Sequence, residues 1–522
     1  MKSYDIHHYR TLYVVPFEFR HMPESFEVAV REIGEKLGTG WEVAEPNFNK
    51  DRKGERDVYY QITHEFDCVR GVSGKMGCFW KKTDLETETC AFDVKAITIY
   101  ADITSAGIYA FRTGIGFLCY EASFRIGENG HGSNTVRDEE DEKYNTKGID
   151  LKSSELLRIQ DYFKELAHER KRISIGAKNE PQAMGRHIAT FLSRLDVTYP
   201  ASRRNKKAEV YNESELIPDK TLMFSYVVFR HDPNWTYNQD VQSTVYYLTH
   251  GYKESYLMSA EAEKGIKRPF CNCFWGASRE GCGHFTWPTG TGVEDNAGFF
   301  YSDNHYRKTI NDYFTLYIRA LYLSYSLFHM AKELDTLSCD FRDYLSENAE
   351  VEEELRKIRN LRAKINVFLA KSVMTSVSHI QHQNEFYAHI VEQLRVNQDI
   401  ASVQVGLDAL NALSASAVEE QKKQLEAENR KQQREEERRE KESDEKFQAG
   451  LACITLLAFF SALADAWQVV DGICHGKLEW QGWLIVGILF LLCFVAFGIA
   501  LKCSWGVLAK TVKSIFRGKN RE

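Results

Sequence analysis

Proline is scarce in this chain, with 9 in 522 residues. That scarcity argues against long unstructured linkers. An excess of positive charge is missing too. There are 67 Lys and Arg against 74 Asp and Glu, a net charge of −7, which excludes a general nucleic-acid coat and disfavours direct nucleic-acid binding. The 12 cysteines are scattered without a regular framework, and no signal peptide precedes Tyr4, so a reduced cytosolic setting is expected rather than a disulfide scaffold. Catalytic signatures are also lacking. There is no serine-hydrolase elbow, no H-E-x-x-H and no kinase set. The segment GVSGKMGCFWKK at 71–82 lacks the G-x4-G-K-[ST] register of a phosphate loop. No enzymatic activity is expected. A mean hydropathy of −0.42 suggests an ordinary soluble chain, but that average hides a segregation of apolar residues at one end.

Residues 447–470 (FQAGLACITLLAFFSALADAWQVV) and 480–501 (WQGWLIVGILFLLCFVAFGIAL) are each long enough to cross a bilayer core of about 30 Å, which takes ~20 helical residues. Trp467, Trp480 and Trp483 flank them as an aromatic belt would. After the second run come Lys502, Lys510, Lys513, Arg517, Lys519 and Arg521, whereas the connector 471–479 holds one lysine. Positive-inside bias therefore predicts a multi-pass protein of the inner or plasma membrane with both termini in the cytoplasm. Asp465 is the one ionisable residue within the first run, and Ser461 and Gln468 share its helical face. Either this polar stripe lines a cation path in an oligomer, or Asp465 snorkels to the interface.

Between Glu419 and Lys446, 20 of 28 residues are charged, 11 acidic and 9 basic, with no Gly or Pro. Mixed signs on helix formers predict a solvated helix laced by i,i+4 pairs. Upstream, Val396, Ile400, Val403, Leu407 and Leu410 recur at 4-3-4-3 spacing, a bundle or coiled-coil seam. The expectation is a helical stretch over 351–390, a return, and then one very long helix from 393 to 470. His379, His382 and His389 lie in the return region, where surface positions or a metal site are both open.

The first part of the chain has strand-like runs at 11–19, 58–66, 96–102, 107–112, 116–124, 221–230 and 241–248, and helix patterns at 24–37, 151–173, 182–195 and 308–337. Two segments resemble each other: RTLYVVPFEFRHMPE from Arg10 and KTLMFSYVVFRHDPN from Lys220. A duplicated unit or chance both account for this, and a duplication makes Arg20 and Arg230 equivalent residues at strand ends, where cations often face a ligand cleft. The stretch 268–306 is rich in Gly and aromatics and reads as a long structured loop. Within it Trp275 and Trp287 offer stacking faces, Arg279 an anion fork, and Asn272, Asn296 and Asn304 base-reading amides, which together suit a nucleotide-like ligand. A loop folded on its own aromatics is the alternative. Cys271, Cys273, Cys282 and His284, spaced C-x-C-x8-C-x-H, are candidate zinc ligands, with buried free thiols as the alternative. No cofactor is otherwise required.

The expected architecture is an α+β cytoplasmic domain followed by a long helical stalk and two C-terminal transmembrane helices. Its parts are α/β subdomains at 1–150 and 151–340 (with the ligand loop 268–306), a helical return and stalk at 341–446, membrane helices within 447–501 and a basic cytoplasmic tail at 502–522. The layout of 351–522 resembles the CorA-type metal-ion channel superfamily. That resemblance implies a homo-pentamer with the first span lining the pore and a divalent cation as the permeant ion. The Gly-Met-Asn signature of that family is absent, since 469–473 reads Val-Val-Asp-Gly-Ile, so no selectivity residue carries over. An enlarged sensor domain on such a membrane part resembles the CorA-like effectors of type III CRISPR antiviral defence. This implies a channel gated by a nucleotide second messenger, such as a conjugate of S-adenosylmethionine with AMP, that permeabilises the membrane. The alternatives are a magnesium transporter and a membrane-anchored scaffold without transport.

Overall fold

The computed structural model describes residues 2–23, 25–46, 57–84, 88–94, 97–126, 152–166, 172–175, 180–183, 192, 194–198, 221–232, 234–252, 257–288, 305–347, 351–374, 376–474, 480, 482–488, 490–495, 497–498 and 502. They form two compact units, Met1–Ala412 and Leu413–Glu522.

The first unit is α+β and is built on a 13-stranded sheet. Its strands are β1 (Ile6–Phe19), β2 (Trp41–Ala44), β3 (Gly77–Lys82), β4 (Glu88–Val94), β5 (Ile97–Phe111), β6 (Ile115–Ile126), β7 (Arg172–Ile175), β8 (Glu180–Ala183), β9 (Val197–Thr198), β10 (Leu222–Phe229), β11 (Ile266–Phe270), β12 (Cys273–Ala277) and β13 (Gly281–Thr286). The main order is β11-β12-β13-β10-β1-β6-β5-β4-β7-β8. Strands from 1–150 and from 151–340 thus share one sheet. All pairings are antiparallel except that of β10 with β13.

The helices are α1 (Phe26–Leu37), α2 (Tyr60–His64), α3 (Ser153–Leu166), α4 (Gln239–His250), α5 (His305–Lys308), α6 (Phe314–Glu347), α7 (Val351–Ser372), α8 (Gln381–Gln393) and α9 (Val396–Cys474). β1 is buried at nearly every position, which a strand can be only when both sheet faces are covered. Side chains alternate between faces. Tyr13, Val15 and Phe17 join a core with Phe26, Ile33 and Leu37 of α1, Leu156 of α3 and Val241 and Leu248 of α4. On the other face Phe111 stacks on Tyr322 of α6 at 4.0 Å, and Phe224 meets Phe314 at 5.4 Å.

Several expectations need correction. Residues 58–66 are not a strand, because Val58, Ile62 and Phe66 are buried at i, i+4, i+8 and α2 follows that helical spacing. Residues 241–248 are helical too. Asn238 caps α4 by accepting from the Val241 amide at 3.1 Å, and Gly251 ends it in the left-handed region at φ 65°. The β-branched content there misleads, while the burial of Val241, Thr244, Val245 and Leu248 has helical period. The helix begun at 151 stops at Leu166 and 172–175 is a strand, while 180–183 is the strand β8 rather than the start of a helix. The rest of 184–191 lies outside the described residues. The runs 96–102 and 107–112 are one strand, interrupted by a bulge between Ile103 and Ser105. The segment 268–288 is not a loop but the three strands β11–β13.

The two similar segments pair with each other. β1 and β10 lie antiparallel with Tyr13 opposite Met223, residues that correspond in the two segments. Each strand is followed by a helix, α1 or α4. The neighbours differ, because β6 runs antiparallel to β1 whereas β13 runs parallel to β10. The likeness therefore extends to a strand–helix unit and stops there.

The second unit is helical. Its stalk carries i,i+4 ion pairs such as Lys423–Glu419 at 2.8 Å and Arg438–Glu442 at 3.6 Å. Phe447, Leu451, Ile454, Leu457, Phe460 and Trp467 are exposed. By length and composition α9, over Val396–Gly472, is able to cross a membrane, and a shorter apolar helix spans Gly482–Val495. Phe459 stacks on Phe497 at 4.0 Å, so the two apolar segments touch.

Candidate functional site

The residues expected to bind a ligand do not converge. Trp275 and Trp287 are buried. Trp275 packs edge-on against Phe386 at 5.3 Å, and Trp287 stacks on Phe229 at 3.9 Å, so the chain's own rings occupy those faces. Asn272 is spent on the Trp287 backbone, donating to its carbonyl at 2.8 Å. Arg279 is exposed in the turn between β12 and β13. Asn296 and Asn304 lie outside the described residues. Arg230 and Arg20 sit at opposite ends of the antiparallel β1–β10 pair, where their amides bond the Asp5 and Asp196 carbonyls. One cleft cannot use both.

The four candidate zinc ligands are not gathered either. Cys273 Sγ and His284 Nε2 approach to 3.4 Å, while Cys271 is exposed. Among the described residues no three His, Cys, Asp or Glu side chains are grouped to hold a metal ion. Burial pushes the Cys273 thiol up to about 12 and holds the His284 imidazole well below its ordinary range, so the pair is neutral thiol and neutral imidazole. His379 and His382 are placed by ring contacts with Tyr59 and Tyr313, and His389 Nε2 lies 3.2 Å from the Gly265 carbonyl.

Arg20 does line a cavity. It has a volume of about 640 Å³, a size usual for small-molecule sites, and lies between the end of β1, the β5–β6 turn and helices α6 and α7. Arg112, His329 and Lys364 add positive charge, Glu18 and Glu333 oppose it, and Met22, Met76, Met330 and Phe368 supply apolar walls. A second cavity of about 510 Å³ adjoins it and adds Lys332 and Lys357. Glu18, His329, Glu333 and Lys364 line both.

These four form a chain of ion pairs. His329 Nδ1 stands 2.7 Å from Glu18 Oε1 and its Nε2 3.2 Å from Glu333 Oε1. Lys364 Nζ donates to both Glu333 oxygens at 2.9 and 3.0 Å. Burial alone lowers the His329 pKa, but the two carboxylates outweigh it and raise it from 6.5 to about 9. Burial likewise acts to raise Glu333, and His329 with Lys364 bring it down from 4.5 to about 2. At neutral pH His329 and Glu333 are both charged, and the linings of the two cavities hold six cationic side chains against two carboxylic ones.

A pH dependence follows by linkage. The share of stability from His329 is full below pH 6.5 and is lost as pH rises through about 9. That from Glu333 is present above pH 4.5 and is lost as pH falls through about 2. Thermal melts of the full chain between pH 6 and 10 should show wild type losing stability faster than His329→Gln, which lacks the imidazolium facing Glu18 and Glu333. Parallel curves for the two proteins would contradict the assignment.

No family model, curated protein or solved structure matches this chain. The cavity geometry and the long helix therefore carry the functional reading. Of its residues the sequence pointed only to Arg20. Glu18, Arg112, His329, Glu333 and Lys364 come from three different elements and the β5–β6 turn. The one local signal was the i,i+4 spacing of His329 and Glu333 on a helix otherwise notable for aromatics.

Proposed function

We propose that this chain is a membrane effector whose cytoplasmic α+β domain binds a small anionic ligand of the nucleotide second-messenger class, with α9 passing that event to a membrane-spanning hairpin. The observation that carries the reading is α9 itself. It begins with Val396, Val403, Leu407 and Leu410 buried and ends in the exposed apolar stretch from Phe447. A helix without Gly or Pro over its charged middle is stiff enough to act as a coupler. In an oligomer the stripe Ser461, Asp465 and Gln468, all exposed in the single chain, faces a shared cation path, and the effect is membrane permeabilisation in antiviral defence. Two spans with both termini cytoplasmic complete the arrangement. The missing Gly-Met-Asn weighs against a magnesium transporter.

The ligand site is the cavity at Arg20 and Arg112. To move the closed-to-open balance from 1:99 to 99:1, ligand must favour the open state by about 5.5 kcal/mol, which several sites per oligomer share. The test is titration of the detergent-solubilised full chain with ATP, cyclic dinucleotides and the S-adenosylmethionine–AMP conjugate. At least one should bind, and the double variant Arg20→Glu/Arg112→Glu should weaken it by about tenfold or more, the ~1.4 kcal/mol lost with a charge-assisted contact. No binding by any of them, with the melt unchanged, overturns the reading.

A further inference from the structure

Four residues belong to both cavities, and they come from the three elements that meet there. Glu18 is on β1, His329 and Glu333 are on α6, and Lys364 is on α7. They form the partition between a chamber holding Arg20 and Arg112 and a chamber holding Lys332 and Lys357. Each cation of the partition is already engaged by a carboxylate of the partition.

We propose that this partition is an electrostatic latch opened by a polyanion that spans both chambers, with Lys364 and His329 exchanging Glu333 and Glu18 for anionic oxygens of the ligand. This deepens the proposed function, on whose ligand site it rests. The chemistry selects the ligand by the spacing of its charges. A single anion fits one chamber beside Arg20 and Arg112 and leaves the ion pairs intact. A chain of linked phosphates reaches cations on both sides only by displacing Glu333. That exchange has a mechanical consequence. The Lys364–Glu333 pair ties α7 to α6, and α9 approaches α6 at Gly406, where Leu334 Cδ1 lies 3.5 Å from where a side chain would begin, an ordinary van der Waals distance. Loosening α7 from α6 therefore acts on the helix pair that starts the coupler.

The pair's exposure suits a latch. The Lys364 and Glu333 side chains are 39% and 34% exposed, so water and ligand reach them, whereas a fully buried pair would be a fixed structural element. Exposed charge pairs are individually weak, and a polyanion making several charge-assisted contacts outweighs one.

The test uses the full chain in detergent with inorganic tripolyphosphate as probe and orthophosphate as its short counterpart. Tripolyphosphate should bind much more tightly than orthophosphate. Glu333→Gln, which keeps the shape of the side chain and removes the competing charge, should tighten tripolyphosphate binding by roughly tenfold while changing orthophosphate by less than twofold. Lys364→Met should weaken tripolyphosphate, and Lys36→Gln, an exposed cation on α1 away from the cavities, should leave it unchanged. Equal affinity for the two anions, or tripolyphosphate binding that ignores Glu333→Gln while the melt is intact, overturns the latch. Uniform weakening by Lys364→Met and Lys36→Gln alike would mark diffuse charge attraction and overturn it as well. A nucleotide that binds and is indifferent to Glu333→Gln sinks the latch but leaves the proposed function standing. Ligand binding without membrane leak does the reverse.

Discussion

Replacing Arg319 with methionine is expected to lower the stability of the α+β domain by about 3–5 kcal/mol, the cost of breaking a buried ion pair from one side. Arg319 is fully buried on α6. Its Nε lies 3.0 Å and its Nη2 3.3 Å from the Glu65 carboxylate, Nη2 donates to the Ser372 carbonyl at 2.8 Å, and Nη1 donates to the Tyr387 hydroxyl. One guanidinium thus ties α6 to the end of α2, the end of α7 and the middle of α8. Burial pushes the Glu65 carboxyl up and Arg319 opposes that shift, so removing the arginine leaves a carboxylate in an apolar setting that must take up a proton. Thermal melts of the full chain should fall by roughly 10 °C, at a few degrees per kcal/mol for a domain this size. The double variant Arg319→Met/Glu65→Leu should recover much of the loss, because the residual charge goes too. A single variant that melts with wild type would show that the network is not structural.

The second large effect concerns the membrane. A chain ending after Lys446 should move from the membrane pellet to the supernatant, whereas the full chain should stay with the pellet after alkaline carbonate. The removed part carries Phe447, Leu451, Ile454, Leu457, Phe460, Trp467, Trp480, Trp483, Ile485 and Leu491, each more than half exposed in the single chain. Burying one such side chain gains about 1.5–3 kcal/mol, so the partition is one-sided. The buried positions of the first unit all precede the cut, and its melt should be nearly unchanged. Carbonate-resistant sedimentation of the shortened chain would refute the assignment of the membrane segment.

The helical part from Val396 onward was legible because its signals are long. Twenty-eight residues without Gly or Pro, followed by a stretch of 24 that is mostly apolar, specify helix by sheer repetition, and α9 follows that expectation over Val396–Cys474. The sheet domain was legible where β-branched and aromatic runs lie between turns, as in β1, β6 and β10. It was misread where composition and period disagreed. β-branched residues at 241–248 suggested a strand, yet the Asn238 cap and Gly251 stop frame a helix. Glycine and aromatics at 268–288 suggested a loop, yet the glycines serve a packed sheet. A Cβ on Gly281 would stand 3.1 Å from the Met223 carbonyl and closer still to that of Thr249, so only glycine lets β13 lie beside β10 under α4. The candidate site was the least legible part. Trp275 and Trp287 drew notice as aromatic faces, but burial had already spent them on Phe386 and Phe229. The cavity cations Arg112 and Lys364 carry no local pattern, and His329 only its i,i+4 spacing to Glu333; they are brought together by the β5–β6 turn and helices α6 and α7. The similar segments at Arg10 and Lys220 pair with each other as strands, and their antiparallel pairing puts Arg20 and Arg230 at opposite ends rather than in one cleft.

The most direct test of the central claim, a ligand-gated membrane effector, is cation efflux from liposomes carrying the full chain, recorded before and after addition of a nucleotide that binds it. The account predicts little efflux without ligand, rapid efflux with it, and a marked loss of the ligand response in Asp465→Ala at equal protein incorporation. Efflux that ignores the ligand, or no efflux from protein shown to be liganded and inserted, would contradict it.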